Sequence, residues 1–162
     1  MLVLGLDPGT ATTGYGFVRE DQDGTLVAVA YGVIITKPAT PMPERLLQIY
    51  EALTDLLLKH PPDQVAIEEL FFGKNVTTGI TVAQARGVML LTVAQKGLPI
   101  SQYKPMSIKQ SIAGYGGADK IQMQVMITQL LNLDAPPRPD DAADALAVAI
   151  THLNNTRFER MA

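Results

Sequence analysis

The stretch Leu2-Val3-Leu4-Gly5-Leu6-Asp7-Pro8-Gly9-Thr10 decides the reading of this chain. It opens as an apolar run, the pattern of a central strand buried on both faces. It ends in an acid and then in the turn formers Pro8 and Gly9. A carboxylate, Asp7, is therefore expected where a buried strand finishes. Burying an unpaired charge is costly, so Asp7 calls for a cation or strong donors. Taken alone, the stretch fits equally well an Asp-Pro-Gly turn that only caps a strand. The decision rests on whether other acids converge on Asp7.

Working outward, Gly14–Val18 reads as a second strand and Leu26–Thr36, rich in Val and Ile, as a third. The Asp23-Gly24 pair between them is a hairpin signal. Three antiparallel strands are thus expected in a row. Leu46, Leu47, Ile49, Tyr50, Leu53, Leu56 and Leu57 then recur at helical spacing, from a start at Pro43 to a stop at Pro61-Pro62. Val65–Glu69 is a fourth strand, again apolar and again ending in acid. A loop over 71–75 leads to a helix over Thr77–Gln95, with Val76, Ile80, Ala83, Gly87, Leu91 and Ala94 on one stripe. Pro99–Tyr103 is a short fifth strand. Ser107–Ala113, Lys120–Leu131 and Asp140–Asn154 read as helices, with the flexible Gly114-Tyr115-Gly116-Gly117 loop after the first of them. The order predicts an α/β domain over 1–162 with a mixed five-stranded sheet flanked by helices.

Composition narrows the function. Hydrophobic residues make up 47% and charged residues 18%, the profile of a globular protein. Without cysteine there are no disulfides and no thiolate metal sites. No apolar run of membrane-spanning length and no basic-then-apolar start stand out, so a cytoplasmic protein without a membrane partner is expected. The net charge of −3 is unevenly spread. Between residues 70 and 130, Lys74, Arg86, Lys96, Lys104, Lys109 and Lys120 face the single acid Asp119, a local +5. Such a middle segment suits a polyanion bound on one face, although it also fits lysines that keep a surface soluble.

Two further acids complete the pattern. Asp141 and Asp144 lie three apart, which on a helix puts both carboxylates on one face. Helix capping and the dipole account well for Asp140, but poorly for Asp144, a full turn inside an Ala-rich helix. With Asp7 and Glu68 these acids form an all-oxygen set suited to Mg²⁺ or Mn²⁺.

Gly5-Leu6-Asp7-Pro8-Gly9, Ala66-Ile67-Glu68, Gln84-Ala85-Arg86-Gly87 and Asp141-Ala142-Ala143-Asp144-Ala145-Leu146-Ala147 together resemble the RuvC family of Holliday-junction resolvases. The resemblance runs in order over nearly the whole chain. It implies the ribonuclease H-like fold, and a homodimeric, Mg²⁺-dependent endonuclease that cuts four-way DNA junctions by paired nicks. Two metal ions per site, Mn²⁺ as a substitute for Mg²⁺, and ends bearing 5′-phosphate and 3′-hydroxyl are implied with it. Asp7, Glu68, Asp141 and Asp144 match the four catalytic and metal-holding acids; some relatives carry His where this chain has Asp141. Glu69, next to Glu68, points away from it on a strand. Phe71 matches the aromatic residue pressed against unstacked bases, while the role of Phe72 is left open. Lys109 and Lys120 match two basic residues implicated in activity, and Lys74 and Arg86 join them as DNA-binding candidates. RuvA and RuvB, the branch-migration proteins, are implied as partners. Two other readings compete. Asp-x-Gly-Thr after a strand also opens the phosphate hairpin of actin-like ATPases, which need two such domains and lack the Asp-x-x-Asp. A catalytically silent junction-binding protein would not need all four acids.

Overall fold

β1 (Leu2–Asp7) is the middle strand of a five-stranded sheet. In this computed structural model, which describes residues 1–70 and 75–162, the strand order is β3-β2-β1-β4-β5. The other strands are β2 (Thr12–Glu20), β3 (Leu26–Ile35), β4 (Gln64–Glu68) and β5 (Ile100–Tyr103). β1 pairs antiparallel with β2 and β2 with β3, while β4 runs parallel to β1 and β5 parallel to β4. The expected mixed sheet of the ribonuclease H-like fold is therefore present.

Two helical layers cover it. α1 (Met42–Lys59) and α2 (Val76–Gln95) pack on one face, where Leu4, Leu6, Phe17, Val65 and Ile67 meet Ile49, Leu53, Met89 and Val93. α3 (Pro105–Ala113), α4 (Lys120–Leu130) and α5 (Asp140–Met161) take the other, where Val3, Val18 and Ala66 meet Ile108, Ile127, Leu146 and Ile150. Strand alternation sorts the side chains: Val3, Gly5 and Asp7 point to the α5 face, and Leu4 and Leu6 to the α1–α2 face.

The structure corrects several expectations. α5 continues to Met161, well past the expected end at Asn154. Asn154 and Asn155 are poor helix formers, but Arg157 and Arg160 in the added turns bind the buried Glu20 carboxylate at 2.5 and 3.2 Å, a gain no local pattern reveals. α3 begins at Pro105, which suits a first helical position. α2 is, by length and composition, a helix able to cross a membrane, against the expectation that none reaches that length. Its Ala85, Met89, Thr92 and Val93 are packed on the sheet. The stripe that carries Val76, Ile80 and Leu91 lies on the opposite face, and these three side chains are more than half exposed. The loop residues Phe71, Phe72 and Lys74 lie outside the described residues. Asn75 caps α2, its side chain accepting from the Thr78 amide at 3.3 Å.

Candidate active site

Asp7 closes β1 and Glu68 closes β4, on adjacent parallel strands in which Leu6 pairs with Ile67. Both acids fall on the face that α5 crosses. What brings α5 down onto them is a row of glycines. A Cβ on Gly5 would stand 2.0 Å from the Ala145 carbonyl oxygen, and one on Gly14 would stand 1.9 Å from that of Asp141. Gly14 is the cross-strand partner of Asp7, so the first turn of α5 is seated directly beside that carboxylate. Ala142, Ala143 and Ala145 keep the helix slim where it touches the sheet.

The result is a convergence of charge. One carboxylate oxygen each from Asp7, Asp141 and Asp144 all lie within 4.8 Å of one another. Glu68 adjoins from the next strand and shares a hydrogen bond with Asp7. Burial, then the Glu68 carboxylate, pushes Asp7 up to about 9. Burial also lifts Asp144 to about 6, against the pull of Lys120. Glu68 is raised by burial as well, with its bond to Asp7 and the nearby Lys109 working the other way. Like charges this close repel, and a proton or a cation must intervene. The donors are all carboxylate oxygens, so a hard divalent cation that keeps some of its water fits them.

A cleft of about 290 Å³ opens over the acids, lined by Asp7, Glu68, Asp144, Lys109 and Lys120. Lys120 reaches Asp140 at 2.8 Å, and Arg138 reaches the same carboxylate at 3.0 Å, so Asp140 is held below the usual carboxylate range chiefly by Lys120. Asp140 is thus a charge-paired residue of the first helical turn, and Pro139 occupies the cap position where capping by Asp140 was expected. Arg86 donates from Nε to the Glu68 carbonyl at 3.2 Å and from Nη2 to Gln102 Oε1, tying down the end of β4. Glu69 lies outside the three-acid group and lines a neighbouring cleft with Arg86. The contribution of the glycine row was missed in the sequence, where Gly5, Gly14 and Gly16 read only as small strand residues.

A ribonuclease H-like sheet with clustered carboxylates at the ends of its central strands defines a class, the metal-dependent nucleases that share this fold. Within it the comparisons are specific. Residues 3–152 match the family described as Crossover junction endodeoxyribonuclease RuvC. The RuvC of Syntrophomonas wolfei is 54% identical over 158 residues, spanning 98% of this chain and 91% of that protein. That of Chloroflexus aggregans is 57% identical over 152 residues, spanning 94% and 92%. The structure of Thermus thermophilus RuvC in complex with Holliday junction substrate superposes with a TM-score of 0.93 at 34% identity, covering 98% of this chain and 96% of that one. The yeast mitochondrial Holliday junction resolvase shares the fold, with a TM-score of 0.64 at 15% identity. This chain belongs to the RuvC family of crossover junction endodeoxyribonucleases. Membership sets aside the actin-like ATPase reading of the first motif.

Proposed function

We propose that this chain resolves four-way DNA junctions by paired nicks, with Asp7, Glu68, Asp141 and Asp144 holding two Mg²⁺ ions, which Mn²⁺ replaces. The observation that carries the reading is the convergence of Asp7, Asp141 and Asp144 at the end of the central strand β1, in a chain of this family. Bound divalent ions would supply an activated water and stabilise the leaving 3′ oxygen. The protein's own part is placement. Asp7 and Glu68 are fixed at strand ends, Asp141 and Asp144 are seated by the glycine row, and Lys109 and Lys120 present positive charge across the cleft to the phosphate. Arg86 holds the end of β4 and faces the DNA from there. Phe71 keeps the base-contacting role the resemblance gives it, and Lys74 remains a DNA-binding candidate from the basic middle segment. RuvA and RuvB are proposed partners and the cytoplasm the proposed site of action.

A junction has near two-fold symmetry and needs two cuts, so two chains are called for. The exposed apolar face of α2, with Val76, Ile80 and Leu91, is the proposed dimer surface. Incubation with a synthetic four-way junction and Mg²⁺ tests the whole reading. Asp7→Asn, Glu68→Gln, Asp141→Asn and Asp144→Asn should each abolish cutting while junction binding, which rests on phosphate contacts, survives in a gel-shift assay. A variant that still cuts at the wild-type rate removes its residue from the site.

A further inference from the structure

Lys120 reaches the acid cleft from the first position of α4, and a fifth acid holds it there. Its Nζ donates to Asp140 Oδ2 at 2.8 Å. The other oxygen, Oδ1, accepts from Gln124 Nε2 at 2.9 Å and from Arg138 Nη1 at 3.0 Å. Asp140 is therefore gripped twice by α4, at Lys120 and one turn further on at Gln124, and once by the segment that leads into α5. Among the described residues it is neither one of the acids that converge with Asp7 nor part of the lining of the cleft. Lys120 does line the cleft, together with Asp7, Glu68 and Asp144. Asp140 and Asp141 are successive residues of α5, so their side chains leave the helix in different directions. Cutting by the four acids gives Asp140 no part.

The contacts divide by charge. Arg138 and Lys120 share one carboxylate, so the group keeps a net positive charge, and Asp140 orients Lys120 without cancelling it. An ammonium has three donors, and those Asp140 does not take are left for a phosphate oxygen. A lysine is a flexible four-carbon chain with many rotamers, and the side chain of Lys120 is 58% exposed. Fixing it before the substrate arrives removes that ordering from the barrier. We propose that Asp140 is a positioning residue for the cutting reaction, holding the Lys120 ammonium over the acid cleft ahead of the phosphate. The inference rests on the junction-cutting reading above and adds a residue that acts on the phosphate only through Lys120. A solvent-exposed pair contributes little to stability, so an effect on rate can be told from an effect on the fold.

The test is a double-mutant cycle on the single-turnover rate of cutting a synthetic four-way junction in Mg²⁺. Asp140→Ala should slow cutting by about tenfold at saturating protein. Its junction affinity in a gel shift without Mg²⁺ should hold or tighten, because a negative charge near the DNA has gone. Its melting temperature should stay close to that of the wild type. In a Lys120→Ala background the same change should move the rate by less than about twofold, because nothing is left to position. Asp140→Ala protein that cuts at the wild-type rate overturns the inference, as does a tenfold loss that persists without Lys120. A second measurement does not depend on cutting. In protein isotope-labelled at lysine Cε, nuclear relaxation should show Lys120 more ordered than the exposed Lys37, and Asp140→Ala should erase the difference. Two equally mobile lysines in the wild type overturn the inference as well. Wild-type protein that cuts no junction at all overturns the function itself, a result distinguishable from either.

Discussion

Asp7 is where the chain accepts electrostatic cost for function. Its carboxyl stands at about 9 in the folded protein against 3.8 for an ordinary Asp, because of burial and then Glu68. Asp144, at about 6, follows the same pattern on a smaller scale. A carboxyl with a raised folded value binds its proton more tightly in the native state than in the unfolded one. The stability this gives is complete below pH 3.8 and is lost as pH rises, through about 6 for Asp144 and through about 9 for Asp7. In chelator, thermal stability should therefore fall across that window. Asp7→Asn should remove the upper part of the fall and raise the melting temperature at pH 8 by roughly 2–8 °C, equivalent to about 1–2 kcal/mol. Mg²⁺ should stabilise the wild type at that pH and do much less for Asp7→Asn. Melts that show no pH slope between 4 and 9 would contradict this electrostatic account.

At the scale of elements, the site depends on how closely α5 approaches the sheet. Gly14→Ala would drive a methyl into the Asp141 carbonyl, and the helix has to lift. The expected cost is about 1–3 kcal/mol of stability, with a larger loss of cutting and a higher Mg²⁺ requirement, since Asp141 and Asp144 move with the helix. Mg²⁺ titrations of the cleavage rate, set beside melts, separate the two effects. Further along α5, His152 anchors the same helix to the strands. Its Nε2 donates to Gln64 Oε1 at 2.5 Å, and its Nδ1 accepts from the Tyr103 hydroxyl at 2.8 Å. That assignment follows because the amide oxygen can only accept and burial keeps the imidazole neutral. His152→Phe should cost about 1–3 kcal/mol in denaturant unfolding by leaving both partners unsatisfied, and a variant as stable as the wild type would refute the anchor.

At the scale of the whole molecule, the untouched surface of α2 matters most. A Cβ on Gly87 meets nothing within 4 Å, so Gly87→Leu should leave the single chain intact. It should even favour the helix by about 0.5–1 kcal/mol. If α2 forms the two-fold interface, sedimentation of this variant should show a shift toward monomer, or paired cutting should give way to single nicks. An unchanged dimer with unchanged resolution would move the interface elsewhere. The chain's own pattern went far in defining this molecule. Apolar runs ending at Asp7 and Glu68, helical spacing in α1 and the i, i+3 pair Asp141 and Asp144 determined the strands, the main helices and the candidate acids, because strand alternation and helix periodicity are local properties. What lay beyond it depended on contacts between distant segments. The glycines of β1 and β2 acquire meaning only where α5 lies on them, the last turns of α5 persist because Arg157 and Arg160 find Glu20, and the exposed face of α2 is defined by which side the sheet covers. Residues far apart in sequence meet in each case, and only the tertiary structure decides such meetings.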